Sequence, residues 1–155
     1  MSAMKSILLA VDMAERLRDQ AIKELTRVEL TVSFAQSQLD QLMHYAADTA
    51  SRWSVSTQIQ ITTQLMQHHY QFLDRLHHAI SLQKTIMAER AAQVNESKNV
   101  LLQAQIRLAS LKNILKKRQQ EYDYQTHRHE QRQMDEIAST QHSRLRKQSN
   151  VGESL

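Results

Sequence analysis

The chain has 155 residues with one Gly, no Pro, no Cys and 5% aromatic side chains. That excludes most β architectures, which need turn residues and β-branched or aromatic runs, and it excludes disulfides, thiolate metal sites and a cysteine nucleophile. The formal charge of +4 is uneven: residues 1–53 carry 6 Lys/Arg against 7 Asp/Glu, residues 54–111 carry 5 against 3, and residues 112–155 carry 9 against 6. The C-terminal stretch is the basic end, yet acids interrupt it, whereas a nucleic-acid or membrane patch concentrates its charge.

Helix one is expected over about residues 2–53. From Met4 to Trp53 the spacing alternates strictly 3 and 4, through Ile7, Val11, Ala14, Arg18, Ala21, Leu25, Val28, Val32, Ala35, Leu39, Leu42, Ala46 and Thr49. Thirteen of these fifteen positions are apolar, Arg18 and Thr49 being the exceptions. Charged residues such as Glu15, Arg16, Asp19, Lys23, Glu24 and Arg27 fall on the outer face. Pairs of opposite sign at i, i+4, such as Asp19 and Lys23, support an exposed helix by only roughly 0.2–0.5 kcal/mol each.

The connector is expected over about residues 54–63. Its Ser, Thr and Gln residues lower helix propensity and supply capping hydroxyls, Thr62 and Thr63 being candidate N-caps of the next helix.

Helix two is expected over about residues 64–146. Every seventh residue from Ile59 gives Met66, Leu73, Ile80, Met87, Val94, Leu101, Leu108, Leu115 and Tyr122, an unbroken apolar column. A strict seven-residue repeat keeps one stripe facing a partner, which is the coiled-coil condition. The second column of helix two is much more polar. A turn near Ser54 to Gln58 makes the helices antiparallel and pairs residues whose numbers add to about 112. Trp53 then faces Ile59, Ala46 faces Met66, Leu39 faces Leu73, Val32 faces Ile80, Leu25 faces Met87, Val11 faces Leu101 and Met4 faces Leu108. Arg18, facing Val94, breaks the row, and His44 falls across from His68.

In this register helix one ends where helix two reaches about Leu108, leaving an overhang of about 35 residues, or about 55 Å at 1.5 Å per residue. Its seam decays, the seventh positions becoming His129 and Glu136, with Met134, Ile137, Ala138 and Leu145 as a scattered apolar face. A lone helix of this kind is stable mainly when something binds it. Residues 148–155 are expected as a disordered tail, and residues 1–147 as a single domain. The expected fold class is all-α: a long two-helix antiparallel coiled-coil hairpin with a C-terminal helical overhang. No apolar run approaches the ~20 residues of a membrane span, and the N-terminal stretch lacks the h-region of a signal peptide, so a cytoplasmic location without membrane insertion is expected.

No catalytic, cofactor or metal site is expected. His68, His69, His77 and His78 form two pairs, and His127 and His129 bracket Arg128, but neighbours on a helix diverge while a zinc site needs three or four convergent ligands. Asp135 and Glu136 lie on a helix without a pocket to shift their pKa values, and no Gly-rich phosphate loop exists. The run KNILKKRQQ (112–120) has the composition of a nucleic-acid patch, yet Ile114 and Leu115 place it on an amphipathic helix. Tyr45, Trp53, Tyr70 and Phe72 gather near the connector. Packing at the tip accounts for Trp53, whereas Tyr45 and Phe72 sit one position off the seam, half exposed and available to a partner.

Three segments, QLDQLMHY (38–45), HHYQFLDRLHHAI (68–80) and QMDEIA (133–138), resemble the FliJ proteins of the bacterial flagellar export apparatus, which are similar to injectisome stalk proteins. The resemblance covers nearly the whole chain. It implies a non-enzymatic stalk that inserts into the hexameric flagellar export ATPase, promotes its assembly or activity, contacts the membrane export gate protein and handles export chaperones, peripheral to the cytoplasmic membrane. By resemblance the gate surface falls on Gln38, Leu42, Tyr45, Phe72, Leu76 and Ala79, with Leu42 facing Tyr70. Thr49 and Gln83 depart from the family pattern, which has an aromatic and a His there. The overhang, with the N-terminal part of helix one, is assigned to the ATPase ring. Leu115, Tyr122, Met134 and Ile137 supply apolar contacts there, and Lys116, Lys117, Arg118, Arg128 and Arg132 electrostatic ones. The alternatives are a generic coiled-coil export chaperone or adaptor, and nucleic-acid binding through the basic overhang.

Overall fold

The computed structural model describes residues 2–56 and 62–153. It is an all-α helical hairpin of two long helices, α1 (Ser2–Ser56) and α2 (Thr63–Glu153). The expected pairing of Trp53 with Ile59, and the centre of the connector, lie outside the described residues.

Neither helix contains Pro, so no backbone donor is missing inside them. Two hydroxyls within α1 donate back to carbonyls one turn earlier, Ser6 to Ser2 at 3.0 Å and Thr26 to Ile22 at 3.0 Å, which satisfies them without leaving the helix. The start of α2 is set by Thr62. Its Oγ1 accepts from the Leu65 N–H at 3.3 Å, and its carbonyl accepts from the Met66 N–H at 3.1 Å. Of the two threonines proposed as caps, Thr62 is the one that caps. At the other end α2 extends past Arg146, its expected limit, and runs to Glu153. Residues 148–153, expected in a disordered tail, are helical. A single Gly costs a helix only about 1 kcal/mol, and no Pro is present to stop it.

Packing divides the chain into two units, Ala14–Arg107 and Met1–Met13 with Leu108–Leu155. In the first, the helices run antiparallel with their seams together. All twelve positions of the α1 seam from Ala14 to Trp53 are buried or half-buried. On α2 the first column is half-buried at Leu73, Ile80, Met87, Val94 and Leu101, and exposed at Met66. The polar second column also turns inward: His69, Leu76, Gln83, Arg90, Ser97 and Ala104 are each buried or half-buried. Arg18 lies in the seam with its guanidinium turned out to Asp19 at 3.0 Å, so its stem packs while its charge stays wet. Asp19 therefore pairs with its neighbour Arg18 rather than with Lys23.

The register differs from the expected one. Gln83 reaches the Ala35 carbonyl and Gln38, Tyr45 meets Phe72, and Trp53 meets His69, pairs whose residue numbers add to between 117 and 122 rather than 112. The helices have slipped by one heptad. The slip keeps apolar columns in phase, so Ala46 comes opposite Leu73, Leu39 opposite Ile80 and Leu42 opposite Leu76. It withdraws the pairings of Ala46 with Met66, Leu39 with Leu73, Val32 with Ile80, Leu25 with Met87, Arg18 with Val94 and Leu42 with Tyr70. His44 and His68 likewise lose their expected alignment.

In the second unit, Val11 and Leu108 are buried, and Met4, Ile7, Leu111 and Leu115 half-buried. Ala3 and Met4 line a surface groove with Arg118, Glu121, Tyr122 and Gln125, so Met4 lies further along α2 than the expected Leu108. The pairing of Met4 with Leu108 is replaced, and the unaccompanied part of α2 begins after about Gln125 instead of Leu108. Every described residue from Lys116 to Glu153 is exposed.

Candidate partner-binding surfaces

Tyr45 and Phe72, one residue off the seam on opposite helices, are brought together by the register. Their rings meet edge to face at 5.9 Å and 81°, an arrangement the aromatic quadrupole favours. Both stay open to solvent, Tyr45 at 53% and Phe72 at 40%. Gln38, Gln41, Leu42 and Tyr45 line a shallow groove beside Gln83. Towards the connector Trp53 stacks on His69, the rings 3.7 Å apart and 7° from parallel, and His69 meets Tyr70 edge-on at 6.1 Å.

Four of the six residues assigned to a gate surface, Gln38, Leu42, Tyr45 and Phe72, thus border one open face. Ala79 is half-buried. Leu76 is 7% exposed: it belongs to the inward second column and supports the face from beneath instead of forming it. Gln83 is buried as well, 8% exposed, and its amide donates to the Ala35 carbonyl at 2.9 Å and to Gln38 Oε1 at 3.2 Å. Thr49 is half-buried in the α1 seam. The two positions that depart from the family pattern are therefore seam positions in this chain.

A second exposed feature carried no signal in the heptad count. Leu30 and Phe34, one turn apart on α1, line a groove with Ile86 of α2 between Arg27 and Arg90. Their i, i+4 spacing off the seam is the mark that could have found them. Arg27 is held by Glu24 at 2.6 Å, and this hydrogen bond keeps the Glu24 carboxyl below the usual carboxylate value. Arg90 donates to Gln93 Oε1 at 3.3 Å.

In the unit formed with Leu108–Leu155, the residues assigned to a ring contact divide differently. Leu115 is half-buried and serves the seam, whereas Lys116, Lys117, Arg118, Tyr122, Arg128, Arg132, Met134 and Ile137 are all exposed. Lys117, Gln120, Glu121 and Tyr124 line a further shallow groove. The His-rich stretches bring no three His, Cys, Asp or Glu side chains together among the described residues, and the arrangement gives exposed faces for protein contact.

The family model described as Flagellar FliJ protein matches residues 4–147. The chain belongs to the FliJ family. This FliJ-family chain is accordingly a component of the flagellar protein export apparatus, and its family is a non-enzymatic one. The match spans both helices and contains all three segments that carried the resemblance. No curated protein and no solved structure matches the chain. Among the described residues, no helix is long and apolar enough to cross a membrane.

Proposed function

We propose that this chain is a stalk linking the hexameric export ATPase to the membrane export gate, with one surface for each. The observation that carries the reading is the Tyr45–Phe72 pair, two large rings left open to solvent at the junction of two helices. Exposed aromatics with a polar rim are the usual anchors of protein interfaces. Gln38 and Leu42 extend this face, which is assigned to the gate protein; Leu76 and Ala79 act by holding the helices that carry it.

The ring surface is assigned to the unit of Met1–Met13 with Leu108–Leu155. A helix whose residues are exposed from Lys116 to Glu153 and which runs unaccompanied after about Gln125 has few packing contacts to stabilise it. A ring lumen supplies apolar surface to Tyr122, Met134 and Ile137 and acidic surface to Lys116, Lys117, Arg118, Arg128 and Arg132. Leu115 contributes through the seam that holds this helix to α1. The location follows as cytoplasmic and peripheral to the membrane, and export chaperones are further partners. The test is reconstitution with purified export ATPase and gate protein. The reading expects ATPase stimulation by the chain and a gate complex dependent on Tyr45 and Phe72. Gate and chaperone binding without stimulation makes the chain an adaptor instead.

A further inference from the structure

We propose that Gln83, seated against Ala35, selects the pairing register of the two helices between alternatives one heptad apart, and so decides whether Tyr45 and Phe72 meet. The columns of both helices repeat every seven residues, so sliding α2 by one heptad again sets apolar side chains opposite apolar ones. The apolar pattern alone does not choose among these registers. A buried polar side chain in such a seam does choose, because it keeps its hydrogen bonds in only one of them.

Gln83 is the only buried polar side chain among the described residues. Its amide has two N–H donors, and both are used, one on the Ala35 carbonyl at 2.9 Å and one on Gln38 Oε1 at 3.2 Å. The position opposite is the reason a backbone carbonyl is within reach. Ala35 projects one methyl group, so the amide passes it to reach the main chain. One heptad away on α1 stand Val28 and Leu42, whose larger side chains would lie between the amide and the carbonyl. A slip in either direction therefore buries the amide without its partners. The other polar members of the column do not discriminate in this way: Arg90 is only half-buried and reaches out to Gln93, and Ser97 is small enough to sit opposite any seam residue.

The consequence falls on the exposed face. In the register with pairs near 112, Tyr45 comes opposite about Leu65, Phe72 comes opposite about Gln38, and the edge-to-face pair is gone. Gln83 is thus a positioning residue for that face, acting through helix register and not through contact with a partner.

The chain contains no Cys, so introduced cysteine pairs report register without background. In the full chain, Ala46→Cys with Leu73→Cys reads the register described above, and Leu39→Cys with Leu73→Cys reads the slipped one. With Gln83 present, mild oxidation is expected to close the first pair and leave the second largely open. In Gln83→Leu, and in Gln83→Met, which keeps the length but not the amide, closure of the second pair should rise by roughly tenfold, the scale set by an unpaired buried polar group, with helicity by circular dichroism unchanged. Ala35→Val should give the same rise with Gln83 still present. The proposal is overturned if both Gln83 variants keep their helicity and the second pair stays as open as in the native chain. It is also overturned if both variants unfold, which would make Gln83 a stability residue. No partner protein enters this experiment, so its failure is separate from a failure of the stalk reading.

Discussion

Tyr45 on α1 and Phe72 on α2 touch edge to face across the helix pair, 5.9 Å between ring centres, and both remain exposed, Tyr45 at 53% and Phe72 at 40%. Replacing either by Ala should weaken binding of the gate protein by about 2 kcal/mol, the scale of an interface anchor, while removing only the roughly 0.5–1.5 kcal/mol of the pair itself from stability. Titration calorimetry with purified gate domain checks the first figure and thermal melting the second. Unchanged affinity in both variants places the gate surface elsewhere.

Leu76→Ala should behave in the opposite way. The side chain is 7% exposed in a seam that has no deeper core beneath it, so truncation removes packing directly, about 2 kcal/mol or more. Loss of gate binding here should come with a lower melting temperature, and should be recovered by Leu76→Met, which refills the volume. Lost binding at native stability would instead make Leu76 a direct contact.

Thr62→Ala tests the start of α2. Removing the hydroxyl that accepts from the Leu65 N–H should cost about 1 kcal/mol. Thr62→Asp should restore most of it, since an anionic cap also suits the helix N-terminus. Melting curves of the three proteins at one pH decide the matter.

For the ring surface, deleting the chain after Leu111 should leave Ala14–Arg107 helical and able to bind the gate, yet end stimulation of the ATPase. Charge reversal of Arg128 and Arg132 should slow association and flatten or invert its dependence on salt, with a smaller change in the final affinity. Full stimulation by the truncated protein would remove the ring contact from this part of α2.

The α1 seam could be read in the sequence position by position, because a strict 3 and 4 spacing over fifteen residues has only one helical face on which to lie. The first column of α2 was equally legible. Register was not, since a seven-residue period is blind to a slip of seven, and the residue that breaks the tie, Gln83, is polar and stood outside the apolar count. Leu76 was read as surface for a related reason. Carrying a family motif onto consecutive positions does not separate seam from rim, whereas its seven-residue spacing to Gln83, Arg90, Ser97 and Ala104 does. Tyr45 and Phe72 were legible as off-seam aromatics, though their contact depended on the register. The C-terminal limit of α2 was missed because one Gly was given the weight of a stop signal.

The stack of Trp53 on His69, 3.7 Å apart, gives the chain an optical gauge of its own. This indole is the only one present, and indole emission responds to what lies against the ring face. Any event that parts the two rings, whether a change of register, fraying beside the connector or a partner wedged between the helix ends, should change that emission. Binding and slippage can therefore be followed in native, unlabelled material, in real time, at a single wavelength.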